Sequence, residues 1–315
     1  MGDSAATTPL LEPQIEQDIW PDEAYPPLTA GAEHAARHGQ ARFRQLARTE
    51  ILLIVAVAAL VVTFVLAEDR LWTTDGSRWV LVRILMPILL GIAFLAKIAN
   101  RARDFHGQWF EARSLAETVK SLTWRFITRA SPFDGRLDAD SAFERAIRES
   151  CDQRPSMFSA LDESLLAAEQ VTSAMRKRRA RPLEERRQLY LSARVDDQVR
   201  WYSQRSERSK VMSARWFWGG VAVQMLLLIA TIVAVRWLTL APFIGFFATV
   251  SSATSALARV NRHDESRRRY ASAAQEMRHL RVSIAEAASE ADLSEAVEAT
   301  EQAISREHGV WLARQ

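Results

Sequence analysis

The chain has 315 residues, 25% of them charged, and a formal net charge of +3. A single cysteine, Cys151, excludes a disulfide scaffold and any multi-cysteine zinc or iron–sulfur site. With 11 glycines and 10 prolines the chain is neither collagen-like nor supplied with the many tight turns of an all-β protein, so it reads as helical.

The first 31 residues hold five prolines and six acids and no Lys or Arg, a composition expected to be disordered or loosely docked. A basic helix follows, with Arg37, Arg42, Arg44 and Arg48. It leads into Ile51–Ala67, 17 residues without a charge. A bilayer core of about 30 Å needs roughly 20 apolar residues. A buried helix of a soluble protein keeps a polar face, but Ile51–Leu66 carries only Thr63 and is apolar all round. After Glu68–Arg78 comes a second apolar block, Trp79–Ala96, interrupted by Arg83 four residues in. Arg83 reads as a boundary residue whose head snorkels to the interface; the sharper reading is a charge at a pore mouth. Two further blocks close the set: Trp216–Val235, with 20 uncharged residues, and Trp237–Ala258, with 22.

Arginines mark the orientation. They precede the first block, follow the second (Arg101, Arg103, Arg113), precede the third (Arg200, Arg205, Arg208, Arg215) and follow the fourth (Arg259, Arg262, Arg267, Arg268, Arg269). The loops inside each pair of blocks are poor in them. The positive-inside rule then puts both termini and the long middle segment in the cytoplasm of a multi-pass inner (plasma) membrane protein. The basic residues cluster at span ends, where anionic lipid attracts them, so no nucleic-acid partner is expected.

An arrangement recurs: basic helix, membrane hairpin, long cytoplasmic helix. Asn100-Arg101 aligns with Asn261-Arg262 at an offset of 161. One seam then runs Phe105, Trp109, Ala112, Ala116, Val119, and the other Tyr270, Ala273, Met277, Leu280, Ile284, Ala287. Both have coiled-coil spacing and must be buried, against the other half or another subunit. Between the halves, Ser131-Pro132-Phe133 and Arg181-Pro182 are breaks, and Ser141–Ile147 and Phe158–Met175 read as helices. A capping-box spacing at Asp292 and Glu295 starts a last helix through Val297 and Ile304 to Trp311.

Against this frame, Trp109-x-x-x-Arg113-x-x-Ala116-Glu117-x-x-Lys120-x-x-x-Trp124-Arg125, followed by Ser131-Pro132-Phe133, resembles the region after the hairpin in one SLATT subfamily. SLATT denotes the SMODS- and SLOG-associating two-transmembrane effector domain. Tyr190-Leu191-x-x-Arg194-Val195-x-Asp197-Gln198-x-x-Trp201-Tyr202 resembles the start of a second subfamily. The likeness covers about residues 32–282. The second half departs from the first, with Tyr270 at the Trp109 position and no acid matching Glu117. The resemblance implies a pore-forming or membrane-perturbing effector of a bacterial antiviral conflict system, answering a nucleotide or partner signal. The sensor or nucleotide-signalling protein would be encoded nearby.

Enzymatic function is not expected. There is no GxxxxGK[ST], GxGxxG or HExxH. His34 and His38 are spaced i, i+4 but lack a third metal ligand, so neither metal nor cofactor is expected. Cys151 has acidic neighbours, which raise a thiol pKa and suit no nucleophile. The fourth block is the most polar. At about 100° per residue, Ser251, Ser252, Ser255, Arg259 and Arg262 share an arc of about 100°, a candidate pore lining. The competing reading is helix packing through Ala248, Ser252 and Ala256, one small residue every fourth position. Pro87 and Pro242 read as helix starts or gating kinks, with the start preferred. Arg113 and Glu117 read as an i, i+4 ion pair flanked by aromatics.

The expectation is an all-α membrane protein with four transmembrane helices in two tandem hairpins and long cytoplasmic helical extensions. Its parts would be an acidic N-terminus (1–31), a first repeat (32–130), a helical connector (131–189), a second repeat (190–291) and a helical tail (292–315). A homo-oligomer in the lipid bilayer is expected, since four spans alone enclose little space. The alternative is a non-conducting anchor or scaffold whose cytoplasmic bundle recruits partners.

Overall fold

In the computed structural model the described residues are 20–71, 77–102, 104–154, 161–261 and 263–313, with side chains also left undescribed at 67–71, 77–83, 106, 259–261, 263–264 and 307–313. No strand occurs among the described residues. Helix α1 (Pro27–Leu71) opens on a proline, whose fixed φ suits a first turn. Its 45 residues extend about 68 Å, enough for an extramembrane stem and a span in one rod. Helices α2 (Ser77–Ala102) and α3 (Phe105–Thr128) follow. The short helices α4 (Ala139–Asp152), α5 (Glu163–Ala167), α6 (Ser173–Arg179) and α7 (Leu183–Tyr190) come next. A π-helical turn, Leu191–Val195, joins α7 to α8 (Asp196–Arg236) without a break. The chain ends with α9 (Pro242–Asn261), α10 (His263–Glu286) and α11 (Glu290–Ala313).

Four of these helices contain windows long and apolar enough to cross a membrane, and almost none of each window is buried inside the chain. Solvent could not tolerate that much bare hydrocarbon; lipid can. The spans stand in an open row. Helix α1 packs on α2 and on α9, and α9 packs on α8, while α2 forms no extended contact with α8 or α9 among the described residues. The row order is therefore α2, α1, α9, α8. Among the described residues it is not a closed four-helix bundle, since the end helices α2 and α8 do not pack extensively on each other.

The two halves repeat their internal packing: α3 lies along α1, and α10 lies along α8. The seams are buried as their spacing requires. Phe105, Ala112, Ala116 and Val119 are buried in the first; Ala273, Met277, Ile284 and Ala287 in the second. The first seam packs chiefly on α1 and residues 270–280 of the second on α8, the first helix of each repeat, whereas Ile284 and Ala287 enter the core of the first half, as burial against the other half requires. The α1–α3 approach is close because α1 presents Ala32, Ala36 and Gly39. A Cβ on Gly39 would stand 3.0 Å from Trp109 Cβ and 3.1 Å from Trp109 Cα and N.

Several local expectations are corrected. The stretch expected to be helical from Phe158 to Met175 is broken, its first residues lying outside the described ones. Gln170 makes the break: its side-chain amide donates to the carbonyls of Leu165 and Ala168 (both 2.8 Å), and its oxygen accepts from Leu28 N (3.2 Å) in the first turn of α1. The last helix starts three residues early, since Asp292 N donates to Ser289 Oγ (3.1 Å) while Ser289 N donates to Asp292 Oδ2 (3.0 Å). That reciprocal pair is a capping box one turn before the expected one. Pro87 lies inside α2, not at its start, whereas Pro242 does open α9. From Trp20 onward the N-terminal segment is packed, with Trp20, Ala24 and Leu28 in the core; residues 1–19 lie outside the described ones.

Candidate functional site

Helix α11 stitches the halves. Its Leu293, Ala296 and Val297 belong to the first core, with Leu115, Val119, Trp124 and Tyr190. Its Ala303 and Ile304 belong to a second core, with Tyr202, Ala273 and Met277. Between the two sits Glu301, fully buried. Its carboxylate accepts from Tyr190 Oη (2.9 Å), Arg194 Nε (3.0 Å) and Arg194 Nη2 (2.9 Å). Arg194 is 4% exposed in its side chain. It projects from the π turn, a widened turn that often marks functional sites. A two-toothed Arg–carboxylate pair in a dry interior is a strong, directional link.

The electrostatics follow from burial. Burial opposes the Arg194 charge, but Glu301 outweighs it and holds the guanidinium above its usual pKa, with Glu117 adding to the effect. Tyr190 is pushed well above the usual phenol range, first by burial and then by Glu301. Tyr25 is pushed up to about 12 by burial, against the pull of Arg194 and the Trp124 hydrogen bond. Trp124 Nε1 donates to Tyr25 Oη at 3.0 Å, and the Trp124 ring lies edge-on to Tyr190. Nearby, Arg186 is buried and ties α7 to the first residue of α11 through Glu290, while its Nη1 donates to Thr128 O (2.6 Å).

A cleft of about 240 Å³ opens beside this network. Trp20, Asp22 and Tyr25 form one wall, Lys120 another, and Ser192, Arg194, Asp197, Gln198 and Arg200 the third. It thus lies across the junction of the two halves, against the π turn. Lys120 is paired with Glu33, and Asp197 lies 3.6 Å from Arg200.

The residues singled out from sequence fall into three places. Trp124, Glu117 and Arg194 converge on the junction, with Asp197 and Gln198 on the cleft wall. Arg113 pairs with Glu117 at 2.6 Å, as the spacing required. Trp109 packs on α1, away from the cleft. Trp201 and Tyr202 form an aromatic group with Tyr270 in the second half, Tyr202 buried and Trp201 exposed on one side. In α9, Ser251 is half-buried, while Ser252 and Ser255 are exposed. Ser252 is therefore not covered by the chain's own helices. The side chains of Arg83, Arg259 and Arg262 lie outside the described residues. The rings of His34 and His38 are 4.2 Å apart, and no group of three or more metal-ligating residues is found among the described residues. Cys151 is buried, and burial first, then Asp152, raises its thiol pKa.

Glu301 was missed from sequence. Its signal was an acid on the apolar stripe Leu293, Val297, Ile304, one turn after Val297.

Residues 26–187 match the family described as SMODS and SLOG-associating 2TM effector domain 3, and residues 190–311 match SMODS and SLOG-associating 2TM effector domain 1. The two matches meet at the π turn and include both the stretch between the repeats and the last helix. No curated protein and no solved structure is significantly similar to the chain.

Proposed function

This chain belongs to the SLATT family, with two of its domains in tandem, and on that premise we propose that it is a pore-forming or membrane-perturbing effector. SLATT effector domains are associated with conflict and defence systems; here the effector would act in the inner membrane of a bacterium, both termini cytoplasmic, without catalysis of its own. The signal would be a nucleotide or a partner protein, and the cleft at the junction is where either could reach the π turn.

The observation that carries this reading is continuity. Helix α1, and α7–α8 through the π turn, run without a break from the helical bundle into the apolar spans. A rotation or shift of the bundle about Arg194–Glu301 therefore moves two spans directly. Because the spans of one chain stand in an open row among the described residues, conduction would take several chains. The exposed Ser252 and Ser255 are the hydroxyls available to line such a path.

Liposome reconstitution tests the proposal: purified protein should release a small dye or ion once the signal is supplied. No release under any added nucleotide or co-encoded partner would defeat it. Ser252→Asp and Ser255→Asp separate it from the scaffold reading, which the open row of spans favours. A pore should change its ion selectivity or toxicity; a scaffold should lose only stability.

A further inference from the structure

The row of spans has two unlike edges, α2 and α8, and its middle contact is directional. Inside each repeat, first and second spans pair: α1 with α2, and α8 with α9. Between repeats, the first span of one half, α1, packs on the second span of the other, α9. The matching contact, α8 on α2, would complete the pattern, and within one chain no extended contact of that kind is made among the described residues. These two helices stand at opposite ends of the row. They are also the barest spans: Ile84, Ile88 and Leu95 of α2 are 54%, 50% and 63% exposed, and Trp218, Met225 and Ile229 of α8 are 67%, 51% and 51% exposed. By contrast, α9, packed on both sides, shows no large exposed apolar side chain among its described residues.

We propose that α8 of one chain packs on α2 of the next, repeating between copies the α1–α9 contact that joins the two halves of one chain. The occupant of each edge is a second copy of this protein, whose α8–α2 contact continues the α1–α9 interface already present. A heterologous contact of this kind leaves a free edge of each type on every added copy, so it propagates until rotation closes a ring. It ends at a dimer only where that rotation is 180°, with the α8–α2 contact made twice over; any smaller rotation gives a larger ring. Gly91, on the Ile84–Ile88–Leu95 face, has nothing within 4 Å of where a Cβ would sit, which leaves room for a neighbouring backbone. The directions also agree: α8 leaves the bundle for the membrane, whereas α2 returns to it through α3. The two edges therefore meet antiparallel. Equal distances from the bundle pair Leu95 with Trp218, Ile88 with Met225 and Ile84 with Ile229. This proposal specifies the oligomer that the functional reading above requires, but its geometry does not depend on conduction.

The chain's single, buried cysteine makes the test clean. In a Cys151→Ala background, full-length protein carrying Ile88→Cys and Met225→Cys together is oxidised in native membranes with copper phenanthroline. The expected product is a ladder of disulfide-linked dimers, trimers and higher species that ends at a closed ring. Each single-cysteine variant should stay monomeric, and the two co-expressed should give dimers only. The Leu95/Trp218 and Ile84/Ile229 cysteine pairs repeat the test at the other depths. Dimers from either single variant would mean like edges meet and would overturn the proposal. Absence of any adduct at all three pairs, in protein that still purifies as a folded species, would also overturn it and assign both edges to lipid. A ladder without dye release would uphold the interface and sink the pore.

Discussion

Replacing Glu301 by Gln should loosen the joint between the two halves more than any surface change of the same chemistry. Glutamine keeps the size but has one acceptor oxygen where the carboxylate offers two, and it turns an NH2 group toward existing donors. Arg194 would then keep its charge at 4% exposure with its bidentate partner gone, and at least one of the three bonds now made by Tyr190 Oη, Arg194 Nε and Arg194 Nη2 would be lost. Removing one member of a buried ion pair costs about 3–5 kcal/mol. That is about a 100- to 4,000-fold rise in the population of the opened junction. Hydrogen exchange in detergent or nanodiscs should report it as faster exchange at residues 190–195 and along α11, with the spans unchanged. Glu276→Gln is the control, since its pair with Arg306 (3.1 Å) is 49% and 71% exposed and should contribute only about 0–1 kcal/mol. The triple change Tyr190→Phe, Arg194→Met, Glu301→Leu removes every polar partner together and should restore much of the protection. If Glu301→Gln sped exchange no more than Glu276→Gln, the buried pair would not be the joint.

Gly39→Ala should destabilise the α1–α3 contact by about 1–3 kcal/mol, because the new methyl would press on backbone atoms of Trp109. A thermal-shift assay should show the loss, and adding Trp109→Ala should not recover it, since the close atoms are Cα, Cβ and N. Cys151 should resist a thiol reagent such as dithionitrobenzoate at pH 8 in folded protein and react on unfolding. Burial and Asp152 raise its pKa, so the folded state favours the neutral thiol. That preference is full below the ordinary thiol pKa and is lost as pH rises through the raised one; reaction of native protein at the free-thiol rate would refute it. Deleting Ser192 should convert the π turn to ordinary α-helix while leaving the register of α8 with α10 intact, whereas deleting Arg200 should turn the span below it by about 100°. Cysteine accessibility along α8 distinguishes the two, and equal disturbance by both deletions would refute the bulge argument.

The spans and seams were legible because both depend on local hydrophobic pattern: Ile51–Leu66 can be stable only in lipid, and the Phe105–Val119 stripe can only be buried. Features decided by distant partners were not legible. The break before α6 depends on Gln170 reaching Leu28 N, 142 positions away in sequence. At the start of α11, Ser289-x-x-Asp292 and Asp292-x-x-Glu295 are equally good capping boxes on paper, and the position of Ala287 and Leu293 in the first core selects the earlier. Pro87 was misplaced because an apolar run does not mark its own first turn. Nor could spacing reveal that most of each seam faces the first helix of its own repeat while Ile284 and Ala287 enter the core of the first half, since a stripe says that a face is buried and not by what.

The site was legible in half. Arg194 stood in a motif, but a motif does not supply its partner, and Glu301 lies 107 positions away. Its placement sets a condition on any switch built here. Opening the junction means separating Arg194 from Glu301, and that equilibrium responds to a signal only through the signal's different affinities for the two states. A signal equalises the two states only if it binds the opened junction more tightly than the closed one by the factor that separates their populations. Tight binding to the cleft with Arg194 and Glu301 still joined would hold the protein closed. If the protein acts as proposed, a ligand that competes for Arg194, Glu301 or Tyr190 should open the joint, and one touching only the outer wall at Trp20 and Asp22 should bind without opening it.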